Sequence, residues 1–75
     1  MGWVHLESSV FKATRYLQEK QLLDLEFHNG AIYRYFEFPP DEYRGFLEAD
    51  SHGKYFNQHI LDRFREERIR PPRRK

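Results

Sequence analysis

The stretch that decides the fold is residues 21–38, which read QLLDLEFHNGAIYRYFEF. In its first part, the apolar residues Leu23, Leu25 and Phe27 alternate with acidic ones, which is the pattern of a half-buried strand. Asn29-Gly30 favours a hairpin turn because both residues tolerate a positive φ. Pro39-Pro40 ends the second strand, since proline cannot donate to a sheet. The stretch therefore predicts a β-hairpin with strands at 21–27 and 31–38.

The hairpin has two possible registers, which differ in the residue that Arg34 faces. A two-residue loop places Arg34 opposite Leu25, a charge among aliphatic side chains. A three-residue loop that includes His28 places Arg34 opposite Asp24, an opposite-charge pair contributing about 0.2–1 kcal/mol. The registers exclude each other, because a one-residue slip moves every side chain to the other face. We predict the three-residue loop, which turns two aromatic residues toward the core, Tyr33 and Tyr35.

The flanking sequence predicts one more strand and two helices. Residues 9–17 combine β-branched and aromatic residues with imperfect alternation, which favours a strand. After the hairpin, Asp41 is a candidate cap for a first helix, whose apolar face holds Tyr43, Phe46 and Leu47. Ser51 is a candidate cap for a second helix, whose apolar stripe holds Phe56, Ile60 and Phe64. We predict an α+β fold, a three-stranded antiparallel β-meander followed by two short helices packed on one face.

Length and composition limit the class of protein. A chain of 75 residues forms one domain, and its 17% aromatic residues can supply a dense core. Without cysteine it has no disulfide and no thiolate metal site. We find no signal-peptide pattern near the N-terminus and no apolar run approaching the roughly 18 residues of a spanning helix. We therefore expect a cytoplasmic protein that does not contact a membrane.

Charge is unevenly distributed along the chain. From Asp62 onward there are seven basic and three acidic residues, whereas the preceding part has six basic and nine acidic ones. Pro71-Pro72 prevents a helix from continuing into this region. We predict a domain over residues 1–64 and a basic C-terminal tail over residues 65–75, disordered at 68–75. Such a tail either contacts an acidic partner or is solvated charge with local Glu–Arg pairs.

Several short motifs occur together in a fixed order. They are Asn29-Gly30, Tyr33-x-Tyr35-Phe36, Pro39 and the run ADSxGKYFN at 49–57. In this combination the chain, from about Ser8 to Arg63, resembles the KTSC domain, found at the C-terminus of some lysyl-tRNA synthetases and in stand-alone bacterial proteins. The family has no established biochemical activity, and what the resemblance implies is RNA binding, from the fusion of the domain to a tRNA-charging enzyme.

Candidate contacts for RNA or another polyanion are mostly basic. Lysine and arginine neutralise phosphates, whereas an exposed aromatic or amide side chain would give base preference. The nine candidates are Lys54, Tyr55, Asn57, Arg63, Arg65, Arg68, Arg70, Arg73 and Arg74. Tyr33 and Tyr35 could also stack on bases, but the predicted register favours the core.

The start of the second helix is a candidate anion site, formed by Ser51, Gly53 and Lys54. Unpaired N–H groups at a helix start attract phosphate, and glycine lets it approach the backbone. The spacing is not that of a P-loop. The simpler interpretation is a serine cap with a glycine required for close packing.

No catalytic or metal-binding pattern is present. The four histidines lack the spacing of a zinc motif, and no nucleophile-elbow pattern accompanies the serines. We expect no enzyme activity, no metal and no cofactor.

Two functions compete on this sequence. The first is a non-catalytic RNA-binding module. The second is a protein-interaction module that uses an aromatic patch on the other face of the sheet, at Ile32, Phe36 and Phe38. In either case we expect a monomer.

Overall fold

The computed structural model describes residues 2–73 as a five-stranded antiparallel sheet with helical segments on one face. The strands follow chain order in the sheet: β1 (Val4–His5), β2 (Phe11–Leu17), β3 (Leu22–Phe27), β4 (Ile32–Tyr35) and β5 (Glu66–Arg70). The helical segments are α1 (Pro40–Glu48), α2 (His52–Tyr55) and a π turn (Phe56–Ile60). The α+β class is confirmed, but the three-stranded meander is extended at both edges. No helix among residues 2–73 is long and apolar enough to cross a membrane.

The β3–β4 hairpin has the predicted three-residue loop. Asp24 pairs with Arg34, Leu25 with Tyr33 and Leu23 with Tyr35. The loop closes through the Phe27 N–H, which donates to the Ala31 carbonyl at 2.8 Å, and Gly30 has a φ of 94°. A positive φ is easily adopted only by glycine and a few polar residues, so the turn sequence determines the register.

The second strand of the hairpin ends earlier than predicted, and this reverses the position of Phe38. Glu37 has a φ of 54°, which interrupts the alternation of side chains. Phe38 therefore enters the core and is fully buried, whereas Phe36 stays on the outer face, half-buried. The prediction of an exposed patch at Ile32, Phe36 and Phe38 is wrong in this respect.

The first helix begins earlier than predicted, whereas the second begins where predicted but ends earlier. Pro39 is the N-cap residue of α1 and Pro40 its first residue, so Asp41 lies in the first turn and makes no capping bond. The Ser51 cap is confirmed, since its hydroxyl accepts the Lys54 N–H at 3.2 Å. The π turn ends before Leu61, and Asp62 turns the chain with a φ of 63°. Phe64 thus lies beyond the helical segment.

One layer of apolar side chains lies between the sheet and the helical segments. Within residues 2–73 it contains Leu6, Phe11, Leu23, Leu25, Tyr35, Phe38, Phe46, Phe56 and Ile60. Its rings meet edge to face or tilted, as at Phe11 and Phe46, whose centroids are 5.7 Å apart. Phe64 joins from the loop, 4.6 Å from the ring of Phe38. The aromatic residues thus provide the core, as their number predicts.

The basic C-terminal region is a strand and not a disordered tail over residues 66–70. β5 pairs with β4, placing Glu66 opposite Tyr35 and Arg68 opposite Tyr33. Beyond β5, the Arg73 N–H donates to the Asn29 carbonyl at 2.8 Å. The predicted disorder is therefore wrong for residues 68–73, and its remainder, Arg74 and Lys75, lies outside the described residues. β5 is held by backbone hydrogen bonds to the edge of β4, and its side chains contribute almost nothing to the core.

Candidate nucleic-acid interface

An open cleft of about 340 Å³ lies where β4, β5 and the π turn meet. It is lined by Phe27, Asn29, Ala31, Tyr33, Tyr35, Phe56, Leu61, Glu66 and Pro72. Four of these residues belong to the short motifs found in the sequence: Asn29, Tyr33, Tyr35 and Phe56. The fold thus brings together motif residues that are far apart in the chain.

Aromatic rings form the wall of the cleft. Tyr35 is 2% exposed and belongs to the core, whereas Tyr33 is half-buried. Tyr33 meets Phe27 edge to face with centroids 5.8 Å apart, and Tyr35 meets Phe56 in the same way at 6.0 Å. The core interpretation therefore holds fully for Tyr35 and in part for Tyr33, whose ring also borders solvent.

Polar groups stand at the edge of this aromatic wall. Burial raises the pKa of the Tyr35 hydroxyl strongly, and the negative charge of Glu66 on β5 raises it further, so the hydroxyl stays protonated. The Asn29 side-chain oxygen accepts the Ala31 N–H at 3.0 Å. The cleft therefore combines ring surfaces with a carboxylate, a hydroxyl and an amide.

The C-terminal arginines occupy three different environments. Arg68 is exposed and lies on the same face of β5 as Glu66, because residues two apart share a face. Arg73 is exposed at the hairpin turn. Arg70 lies on the opposite face, because the pairing of β4 with β5 shifts register between Tyr33 and Ile32 and so interrupts the alternation after Arg68. There Arg70 donates to the Gly30 carbonyl and the Glu26 carboxylate, each at 2.8 Å. Arg70 is therefore engaged in the fold.

Arg63 and Arg65 lie in the connection that precedes β5. Arg63 is exposed in the turn after the π turn, so its expected position on a helix is wrong. The Arg65 guanidinium lies over the ring of Phe36, 4.2 Å from its centroid. Both charges reach solvent, while Arg74 lies outside the described residues.

The predicted anion site at Ser51, Gly53 and Lys54 is explained by local structure. α2 is a single turn, and the Ser51 hydroxyl already accepts one of its N–H groups. A Cβ on Gly53 would lie 3.2 Å from a methyl carbon of Val10, so glycine permits close packing here. Lys54 is exposed on α2, whose main neighbours are the π turn and α1. The structure therefore favours the simpler interpretation of a serine cap.

Tyr55 is held by its neighbours, whereas Asn57 is exposed. The Tyr55 hydroxyl donates to the Glu42 carboxylate at 2.8 Å, and burial together with this bond raises the pKa of Tyr55 to about 12. A Cβ on Gly45 would lie 2.6 Å from the same hydroxyl oxygen. Tyr55 therefore joins α1 to α2 and does not present its ring for base stacking.

The outer face of the sheet carries a ladder of ion pairs. Asp24 is 1% exposed and accepts bonds from Arg15 at 2.7 Å and Arg34 at 2.8 Å. Burial alone would raise the pKa of Asp24, but the bonds and charges of Arg34 and Arg15 outweigh it and hold that pKa below its ordinary value. Trp3 lies over the Arg15 guanidinium at 4.5 Å. These charges satisfy one another, so the face serves sheet stability.

The histidines do not form a metal site. The His28 and His52 rings bond separately to the carbonyls of Ser8 and Phe46, at 2.7 and 2.9 Å. Within residues 2–73, no three histidine or acidic side chains are grouped in a way that could hold a metal ion.

The sequence alone does not identify Glu66 as a cleft residue. The run of residues 66–70 is charged at four of five positions and lacks the alternation that identifies a strand. No local signal could have placed Glu66 beside Tyr35, because the pairing with β4 is a long-range contact.

Comparison with known proteins agrees with the motif resemblance. The sequence model of the KTSC domain matches residues 7–64, ending before β5. An uncharacterised protein of Stutzerimonas stutzeri is 47% identical over 58 residues, covering 77% of this chain and 82% of that protein. A lysine–tRNA ligase of Nostoc punctiforme is 38% identical over 63 residues, covering 84% of this chain and 11% of the ligase.

The fold is also known from a crystal structure of a KTSC domain protein of Yersinia pestis. The TM-score is 0.86 at 25% sequence identity, over 91% of this chain and 96% of that one. Sequence and structure thus agree over most of the chain. The chain belongs to the KTSC domain family.

Proposed function

We propose that this chain is a non-catalytic RNA-binding module that uses the cleft and the arginine-bearing edge beside it. One observation carries the proposal: an open aromatic cleft lies next to exposed arginines on and around β5. Aromatic rings stack on bases of any sequence, and arginines neutralise the phosphates between them. The combination is typical of proteins that bind single-stranded nucleic acid.

The charges of this region support the proposal. The exposed arginines among the described C-terminal residues are Arg63, Arg65, Arg68 and Arg73. Arg70 is not counted among the phosphate contacts, because its guanidinium is paired with the Glu26 carboxylate. Engagement of about four phosphates corresponds to a slope near −3 in log K against log salt for a single strand.

The relatives support the choice of RNA. The same domain makes up 11% of lysine–tRNA ligases from Nostoc punctiforme and another Nostoc strain. In those proteins it accompanies an enzyme that acts on tRNA. For this chain, RNA contact is our proposal from that association together with the cleft.

Part of the aromatic patch on which the competing protein-interaction function depends is not accessible in the structure. Phe38 is buried, and Arg65 covers the ring of Phe36. The remaining outer face is crossed by the ion pairs of Asp24. Absence of RNA binding would return this alternative to first place.

Fluorescence anisotropy with labelled single-stranded RNA at low salt tests the proposal. Arg68→Ala removes an exposed charge at the cleft and is expected to weaken binding several-fold, whereas Arg44→Ala is the matched control. Arg44 is also exposed, on α1, where it pairs with the exposed Asp41. Equal affinity of the two variants would contradict the proposed surface, and no binding by the unmodified chain would contradict the function.

A further inference from the structure

We infer that the cleft receives one unstacked RNA base and prefers guanine, with Glu66 as the residue that determines this preference. The inference rests on the proposed RNA-binding function and specifies its ligand. It is based on the shape of the cleft, the donors and acceptors at its edge, and the charges around it.

The cleft has the size and the surface for a single base. Its volume of about 340 Å³ is at the small end of the roughly 300–1,000 Å³ of small-molecule pockets, which suits one flat ring system. Tyr33 is the half-buried ring at its opening, and the ring of Phe27 supports it edge to face. Single-stranded RNA presents unstacked bases to such aromatic sites.

Glu66 gives the cleft a hydrogen-bonding preference. A carboxylate only accepts, and guanine alone offers two adjacent N–H donors, N1–H and the N2 amino group, on its Watson–Crick edge. Adenine and cytosine offer one amino group there, and uracil places two carbonyl oxygens beside its single N–H. The Glu66 carboxylate therefore favours guanine and disfavours uracil.

Within the described residues, Glu66 takes part in none of the salt bridges. Its neighbour Glu67 faces Arg34 on the other side of β5. Among the described residues, the carboxylate beside the cleft thus takes no part in the ion pairs that hold the two β3 carboxylates, Asp24 and Glu26.

Two further groups fit a nucleotide in this position. Tyr35 lines the cleft and pairs with Glu66 across the strands, and its hydroxyl stays protonated and so remains a donor there. Arg68, on the same face of β5, and Arg73, next to the lining residue Pro72, are exposed cations beside the cleft. They are placed to neutralise the phosphates on either side of the bound nucleotide.

The test uses labelled uridine oligonucleotides of about seven residues with G, A, C or U at the centre, bound to the full chain at low salt. We expect the central G to bind roughly fivefold or more tighter than U, the discrimination of a good bidentate contact. Glu66→Gln should remove most of this ratio. Glu67→Gln changes the same charge on the same strand outside the cleft, and it should leave the ratio unchanged.

The outcomes separate the two proposals. Loss of the G-to-U ratio in Glu66→Gln but not in Glu67→Gln supports the inference. Binding of all oligonucleotides with no preference, or a preference that Glu66→Gln preserves, overturns the inference and leaves RNA binding in place. Absence of binding to any oligonucleotide overturns both. Circular dichroism of each variant confirms that it remains folded.

Discussion

At the scale of single residues, the two tyrosines of the hairpin have separate roles. The sequence treats Tyr33 and Tyr35 alike, since both alternate with Arg34. In the structure, Tyr35 packs against Phe56 of the π turn and is buried, whereas Tyr33 is half-buried. We expect Tyr35→Ala to destabilise the domain by about 3–5 kcal/mol, as other buried aromatic truncations do. Tyr33→Ala should destabilise it less and should weaken RNA binding. Urea unfolding of both variants measures their losses of stability, and equal losses for Tyr33→Ala and Tyr35→Ala would contradict the separate roles.

Asp24 is a second residue with a specific expectation. Asp24→Asn removes the carboxylate that pairs with both Arg15 and Arg34. Because these arginines are 31% and 27% exposed, water screens them, and we expect a loss of about 2–3 kcal/mol at pH 7, below the roughly 3–5 kcal/mol of a fully buried pair.

The same substitution has a pH dependence with a defined sign. The pKa of Asp24 is lower in the folded than in the unfolded chain. Its stabilisation is therefore present above the unfolded value of about 3.9 and is lost as the pH falls through the folded pKa. The stabilities of the wild type and Asp24→Asn should therefore begin to converge as the pH falls below about 4 and meet only below the folded pKa of Asp24. A difference that persists unchanged at low pH would contradict the ion-pair explanation.

Only the structure explains why residue 45, inside a helix, is glycine. Inside α1, alanine has a helix propensity about 1 kcal/mol more favourable than glycine. A Cβ at this position, however, would lie 2.6 Å from the Tyr55 hydroxyl oxygen. We expect Gly45→Ala to destabilise the wild-type protein. In a Tyr55→Phe background, which lacks the hydroxyl, the same substitution should be less destabilising or even stabilising. A double-mutant cycle measured by chemical unfolding tests the coupling, and additive effects would argue against it.

At the scale of elements, local signals predicted the hairpin and missed both sheet edges. The Asp24–Arg34 pair and Gly30 determine the register of β3 and β4, and both are visible in the sequence. β1 has only two residues, and β5 is almost entirely polar, so each depends on backbone pairing with a neighbour. The π turn was missed because Phe56, Ile60 and Phe64 also fit an uninterrupted helix.

Residues 66–70 were predicted as part of a tail outside the domain, but the structure makes them an edge strand of its sheet. A chain ending at Arg65 loses β5 and exposes the edge of β4, so we expect it to be less stable by about 2–4 kcal/mol, the net value of a few backbone hydrogen bonds at about 0.5–1.5 kcal/mol each. A chain ending at Arg70 keeps the strand and is the control. Urea unfolding of both checks the expectation, and an unchanged midpoint for the shorter chain would show that β5 is dispensable.

At the scale of the whole molecule, the fold separates stability from proposed function. The ion pairs of Asp24 occupy the outer face, the aromatic core fills the inner face, and the cleft opens at the edge where β5 joins. The sequence predicted the basic residues of this edge but not their arrangement, because Arg70 is bound by Glu26 while Arg68 is exposed at the cleft. The candidate site is thus a product of long-range pairing.

The most direct test of the central claim is the salt dependence of RNA binding. Affinity of the full chain for single-stranded RNA, measured across salt concentrations, should give a slope near −3, and Arg68→Ala should reduce its magnitude by roughly 0.7. Arg44→Ala should leave the slope unchanged. Absence of binding at low salt, or an affinity that does not depend on salt, would contradict the account.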